Sequence, residues 1–192
     1  MSRTLFPSAA QQSQPTPSEL INDVNALRLA YGLIPLTIHP ILMQTAQGQA
    51  DALLASDGAV GHSRPNGLTY TDQLLILGYP LSGDLSLGGY RAENFVFGAG
   101  LSPQDAVQIW RGDEPHTNTM LSPNYLNIGA GVAIASDGTV YYVIDCARPT
   151  SNGQPQEGAM LTVTVAANSP SDAVSQYMVP VSVSTARPDG DV

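Results

Sequence analysis

The chain has no lysine, a single cysteine and few charged residues of any kind. All seven basic residues are arginines, against 16 acidic residues, so the formal net charge is −9 at pH 7. Nucleic-acid binding requires clustered cations that neutralise phosphates, and docking on anionic membranes requires the same. The composition therefore argues against both classes of partner.

The single cysteine and the absence of long apolar runs bear on the compartment. Cys146 has no partner for an intrachain disulfide, which by itself favours a reducing environment. No apolar run is long enough for a membrane span, and residues 1–4 lack the apolar core of a signal peptide. This leaves a cytosolic chain or the mature part of an exported one. Because uncharged polar residues, Gly and Pro abound while charge is scarce, we expect an extracellular, secreted protein whose leader is absent from this chain.

Helical signals dominate the first two thirds of the chain. Residues 1–15 are polar and are predicted to be a flexible lead-in. Thr16 and Glu19 form a capping-box pattern, with Pro17 suited to the first helical position. Apolar periodicity and such start signals predict four helices, at about 16–31, 40–56, 69–77 and 102–110. Small residues in the second helix indicate close packing against another element.

Strand signals follow after His116. Runs of β-favouring residues at 128–135 and 139–147 flank Ser136-Asp137-Gly138, which is a good hairpin turn. A polar linker at 148–159 precedes two further strand candidates, at 161–165 and 179–183. Helices first and a hairpin later predict an α+β layered domain.

Two of the three histidines stand near carboxylates, in an otherwise chemically bland chain. They occur in Gly61-His62-Ser63 and in the segment from Trp110 to His116, while Glu93 lies in Ala92-Glu93-Asn94. Imidazoles and carboxylates brought together make either a divalent-metal site or an acid/base pair. Each residue also has a structural interpretation: His62 as a surface residue, Glu93 as a partner of backbone amides, and His116 as a helix C-cap.

The ordered set of motifs resembles the CAP superfamily (SCP-like, PR-1-like), in its bacterial branch. The resemblance covers roughly residues 16–149. It rests on these residues and segments: Asn25-Ala26-Leu27-Arg28, Leu36, Ala46, Ala50, Gly61-His62-Ser63, Ala92-Glu93-Asn94, Trp110 with His116, Ile128-Gly129-Ala130-Gly131, and Tyr141-Tyr142-Val143-Ile144.

The resemblance implies a three-layer α-β-α sandwich with a small antiparallel sheet and a cleft that holds two histidines and two acids. His62 matches the first histidine, Glu93 the first acid and His116 the second histidine. Asp113 falls where many eukaryotic members carry Glu, and its shorter side chain leaves open whether it reaches the cleft. Glu114 is the neighbouring substitute, next to the restrictive Pro115.

The resemblance leaves several functions open. His62, His116 and Glu93 could hold zinc or another divalent metal with one position left for water, or the acids could fix the imidazole tautomers. We expect a binding domain for a metal, a small molecule or a lipid. The alternative is a metal-assisted hydrolase acting on peptide or cell-wall material, with His62, Glu93, His116 and Asp113 as catalytic residues. A surface module with a vestigial site is the third interpretation.

The ends of the chain complete the predicted organisation. Residues 16–149 form the domain, and residues 150–192 form a β-rich extension that ends as a linker. We expect this linker to lead to a missing module, for instance one that binds the cell wall. The domain itself is expected to be a monomer.

Overall fold

The structure is a computed structural model, and it describes residues 14–64 and 67–151. These residues form five α-helices and one four-stranded sheet. The helices are Pro17–Ala30 (α1), Pro40–Ala55 (α2), Tyr70–Ile76 (α3), Pro103–Arg111 (α4) and Glu114–Leu121 (α5). The strands are Thr37–Ile38 (β1), Arg91–Ala99 (β2), Asn127–Ile134 (β3) and Thr139–Ala147 (β4).

Side-chain caps fix where the predicted helices begin. At α1 the amide of Glu19 donates to the Thr16 hydroxyl (3.2 Å), and the Thr16 amide donates to the Glu19 carboxylate (2.8 Å). Ser102 and Asp105 form the same reciprocal pair at α4. Each pair satisfies backbone donors that have no partner inside the helix. These contacts explain why sequence alone located these helices well.

The sheet has the order β1-β3-β4-β2. The predicted hairpin is present as β3 and β4, which pair antiparallel, and β2 pairs antiparallel with the other edge of β4. The two-residue strand β1 pairs parallel with β3. The sheet is thus mixed, with one short parallel pair added to the antiparallel arrangement that the sequence led us to expect.

Successive side chains of β4 pack into two hydrophobic clusters, one on each face of the sheet. The residues of β4 that pack toward α1 and α4 are Val140, Tyr142, Ile144 and Cys146. Tyr141 and Val143 pack on the other face, against α2. Because successive strand residues point to opposite faces, the sheet lies between helical layers. The α-β-α sandwich is confirmed.

The small residues of α2 allow a close approach to β3, as predicted. A Cβ atom on Gly131 would overlap the backbone of Ala46, and one on Gly129 would overlap the backbone of Leu42. Glycine is therefore required at both strand positions. This contact holds α2, and with it Thr45, directly over the sheet.

Two elements differ from the prediction. The segment from Arg91 to Ala99 is a nine-residue strand, which is absent from the strands predicted above. Residues Glu114–Leu121 form a helix, so His116 lies in a first helical turn and not at a helix exit. The strands predicted at 161–165 and 179–183, the linker and nearly all of the lead-in lie outside the described residues. Within residues 14–64 and 67–151, no helix is both long and apolar enough to cross a membrane.

Candidate functional site

His62 and Glu93 meet at one face of the sheet. His62 lies in the loop after α2, and Glu93 lies on β2. The Nδ1 atom of His62 is 2.7 Å from Oε1 of Glu93. The His62 side chain is 59% exposed, whereas that of Glu93 is 4% exposed. Glu93 therefore holds the imidazole through Nδ1, while more than half of the His62 side chain is exposed to solvent.

Arg64 binds the second oxygen of Glu93. Its Nη2 atom lies 2.5 Å from Oε2 of Glu93 and 3.4 Å from Oδ1 of Asp145. The guanidinium also stacks over Tyr70, with its central carbon 4.3 Å from the ring centroid. The register of β2 and β4 places Glu93 directly opposite Asp145, so both carboxyl groups face the same arginine. Both oxygens of Glu93 are thus engaged.

Asp145 is the most deeply buried acid of this cluster, with no exposed surface. The Thr45 hydroxyl donates to its Oδ2 atom at 2.5 Å. Burial, reinforced by the negative charge of Glu93, raises the pKa of Asp145 well above its usual range, against the opposing effect of Arg64. Burial works to lower the pKa of Arg64, but Asp145 and Glu93 outweigh it, and that pKa is raised. Arg64 is therefore the cation that the buried carboxyl groups of Glu93 and Asp145 share.

His116 pairs with Asp113 in a more exposed setting. Asp113 is the N-cap residue of α5, and its Oδ2 atom lies 2.7 Å from Nδ1 of His116, three residues later. The side chains are 49% and 32% exposed, respectively. Asn94 on β2 donates from Nδ2 to the His116 carbonyl at 2.9 Å. Asp113 therefore does reach a histidine, while the substitute Glu114 is exposed at the start of α5.

The two pairs do not form one metal-ligand group. Among residues 14–64 and 67–151, no three His, Cys, Asp or Glu side chains are arranged to hold a metal ion. Glu93 is occupied by Arg64 and His62, so the predicted set of His62, Glu93 and His116 does not fit a three-ligand zinc site. Each carboxylate instead contacts an imidazole Nδ1, a contact that fixes ring orientation and leaves Nε2 free.

A cavity of about 550 Å³ opens beside the first pair. Its lining residues are His62, Ser63, Leu68, Thr69, Tyr70, Arg91 and Glu93. His116 and Asp113 do not line it. Of the two predicted histidines, His62 is the one that the structure places at this cavity.

The third histidine, the single tryptophan and the single cysteine have structural roles. The Nδ1 atom of His39 accepts from the Ile41 amide (3.3 Å) and caps α2. Trp110 is 1% exposed and donates from its indole nitrogen to the Phe95 carbonyl. Cys146 is fully buried, and burial raises the pKa of its thiol. A buried thiol of raised pKa has little reactive thiolate.

Arg64, Asp145, Thr45, Tyr70 and Arg91 were not found from the sequence. Asp145 did carry a signal, because it is the one charged residue in the otherwise apolar β4. A charge in a strand that is buried on both faces requires a partner. Arg64 follows His62 by two residues in a loop, and nothing in its local context distinguishes it from a surface arginine.

Comparison with known proteins agrees with this architecture. Among solved structures, an outer surface protein from Borrelia burgdorferi aligns with a TM-score of 0.56 at 16% identity, over 69% of this chain and 91% of its own. An extracellular SCP-domain protein from Bacillus anthracis aligns at 18% identity and a TM-score of 0.48, over 69% of this chain and 40% of its own. At such identities the likeness to the Borrelia protein shows the fold alone.

The sequence comparison extends to the family. No curated protein matches the chain. The sequence profile of the Cysteine-rich secretory protein family, CAP, matches residues 21–146, which is 126 of the 192 residues. The chain therefore belongs to the CAP family.

Proposed function

We propose that this CAP domain is an extracellular bacterial binding module that takes a small molecule in the cavity beside His62. The observation that carries the proposal is the cavity of about 550 Å³ beside His62 and the buried carboxylate of Glu93. Small-molecule sites are typically clefts of roughly 300–1,000 Å³ with a few fixed polar groups. Secretion is supported by the family, whose description is secretory, and by the low charge of the chain.

A binding role suits this site better than hydrolysis. Two-residue acid/base chemistry on a peptide also needs an activated nucleophile or a metal-bound water. His62 and Glu93 line the cavity without the second pair, so the expected four-residue set is divided. Among the described residues, the cavity therefore offers a hydrolase one acid/base pair without the second pair that the family resemblance implies.

Small-molecule binding is tested with a fragment panel and amide NMR spectra of the labelled chain. We expect fragments that bind to shift the amides of residues 61–64, 68–70 and 91–93. Leu68→Trp fills the cavity and should abolish these shifts. Asn118→Trp, in the separate groove along α5, is the matched control and should leave them unchanged. Shifts that persist in Leu68→Trp would contradict the proposed cavity.

The metal expected from the family resemblance is tested separately. Zinc is titrated by calorimetry into the wild type and the His62→Ala/His116→Ala double variant. Because Glu93 is engaged by Arg64, we expect the two titrations to be alike. Zinc binding that is lost in the double variant would restore the metal site and remove the metal-free binding module.

A further inference from the structure

Arg91 is held in place at the edge of this cavity. Its Nε atom donates to the Thr71 hydroxyl at 3.0 Å, and that hydroxyl donates to the Gly88 carbonyl at 2.7 Å. Its guanidinium carbon lies 5.4 Å from the Tyr70 ring centroid. A Cβ atom on Gly88 would come within 3.2 Å of Nη2, so the backbone also approaches closely there. The side chain is therefore fixed on several sides before any ligand arrives.

The charge of Arg91 is not neutralised by the protein. Within the described ranges 14–64 and 67–151, no carboxylate lies within ion-pair distance of Arg91. The cavity's own acid, Glu93, is consumed by Arg64 and His62. In a chain of net charge −9, the cavity thus presents an unpaired guanidinium.

We propose that the ligand of this cavity carries a carboxylate, and that Arg91 is the residue that binds it. A guanidinium presents a planar fork of donors that matches a carboxylate in a bidentate contact. Among the residues that the structure describes, Nε is the only Arg91 side-chain nitrogen with a hydrogen-bond partner, so the outer nitrogens remain for the ligand. Fixing the fork beforehand reduces the entropy lost on binding. The inference rests on the proposed small-molecule cavity and names the chemistry of its ligand.

The test compares acetate with acetamide, which has nearly the same shape without the charge. Each is titrated into the labelled chain at constant ionic strength, and amide shifts at residues 68–70 and 91–93 are followed. We expect acetate to bind at least about tenfold more tightly than acetamide, since charged hydrogen bonds are roughly twice as strong as neutral ones. Equal affinities would overturn the proposal.

Substitution identifies the partner residue. Arg91→Gln should weaken acetate binding by about tenfold or more and weaken acetamide binding much less, so that the two affinities become similar. Arg91→Lys keeps the charge but loses the fork, and we expect an intermediate affinity. Arg111→Gln, at the exposed end of α4, is the matched control and should behave as the wild type. Acetate binding that is unaffected by Arg91→Gln would overturn the assignment.

Failure of this inference can be told apart from failure of the proposed function. If neutral fragments bind in a Leu68→Trp-sensitive manner while acetate does not, the cavity stands and the carboxylate is wrong. If neither acetate nor any fragment shifts the cavity amides, both proposals are wrong.

Discussion

The two histidine–acid pairs have the same contact and opposite surroundings. In both, a carboxylate oxygen lies 2.7 Å from an imidazole Nδ1. Glu93 is 4% exposed and is also bound by buried Arg64, whereas Asp113 is 49% exposed and has no second charged partner in the described ranges. Exposed ion pairs contribute about 0–1 kcal/mol, while breaking a buried one costs several. The equal contact distances therefore do not predict the energetic contribution of each pair. That contribution depends on the burial of the carboxylate and on its other charged partners.

The difference arises from how each acid is placed. Asp113 and His116 are three residues apart at the start of α5, so local helix geometry suffices to bring them together. Glu93 depends on the register of β2 and β4, which sets Asp145 opposite, and on a loop that brings Arg64 between them. The Asp113–His116 pair is therefore local, whereas the His62–Glu93 pair depends on strand pairing and on the loop after α2.

Removing Arg64 should have the largest effect. Arg64→Met leaves Glu93 and Asp145 buried without a cation, and we expect the free energy of unfolding to fall by about 3–5 kcal/mol. The loss should be smaller at pH 5 than at pH 8, because carboxyl groups take up protons at the lower pH. Urea denaturation measures both. Arg111→Met, on the exposed end of α4, should change stability by less than about 0.5 kcal/mol, and equal effects would contradict the account.

Displacing α2 should disturb the buried carboxyl groups of Asp145 and Glu93 and leave the contact between Asp113 and His116 unchanged. Gly131→Ala places a methyl group against the backbone of Ala46 and should cost about 1–3 kcal/mol by overpacking. It also shifts Thr45 away from Asp145. Gly48→Ala, on the exposed face of the same helix with nothing within 4 Å, should instead stabilise by about 0.5–1 kcal/mol. Thermal unfolding distinguishes them, and a neutral Gly131→Ala would show that α2 is not held by the sheet.

Asp145→Asn should change how stability depends on pH. The folded state keeps a proton on Asp145 at pH values where the unfolded chain has lost it, because burial and Glu93 raise the pKa of Asp145. As the pH rises above the usual aspartate value, this group lowers the free energy of unfolding by up to about 1.4 kcal/mol per pH unit, until the folded carboxyl ionises.

The asparagine side chain has no such proton to lose. Denaturation curves from pH 4 to 8 should therefore show Asp145→Asn gaining stability relative to the wild type as the pH rises. Curves that stay parallel over this range would contradict the assignment of the shift to Asp145. The carboxylates that do not contact this cluster are common to both proteins and cancel in the difference, so the comparison reports on Asp145 together with its neighbour Glu93.

Asp113→Asn should have the smallest effect. Its exposed contact with His116 contributes about 0–1 kcal/mol and is screened by salt. We expect a change in the free energy of unfolding of that size at low ionic strength and none at 1 M salt. A loss of several kcal/mol would mean that the two pairs are energetically alike.

The elements that were predicted correctly are those whose signals lie in neighbouring residues. The helix starts follow from Thr16 and Ser102 capping, and the hairpin follows from β-favouring runs around Asp137-Gly138. α5 was missed because Pro115 and the polar residues after it show no apolar period; its first turn is fixed by proline and by the contact between His116 and Asn94. Its existence depends on neighbours that sequence periodicity does not reveal.

The site was predicted only as far as the family motifs extend. His62, Glu93, His116 and Asp113 were named as candidates, and each of these histidines contacts one of these acids. Arg64 and Asp145 are 81 residues apart in the chain and meet only through strand pairing and the loop after α2. No local sequence pattern predicts this contact. The residues that distinguish the surroundings of Glu93 from those of Asp113 could therefore be identified only from the structure.

The tautomer of each histidine tests most directly whether neighbours decide the behaviour of the pairs. Long-range ¹H–¹⁵N NMR, at a pH where both imidazoles are neutral, should find both Nδ1 atoms protonated in the wild type. In Glu93→Gln, Arg64 has only hydrogen-bond donors and therefore binds the amide oxygen. The amide NH₂ then faces Nδ1 of His62, which must accept, so the imidazole proton of His62 moves to Nε2. In Asp113→Asn, no arginine of residues 14–64 or 67–151 pairs with the side chain at position 113, so the amide oxygen can face His116, and His116 keeps its proton on Nδ1. A His62 that stays protonated on Nδ1 in Glu93→Gln would contradict the account.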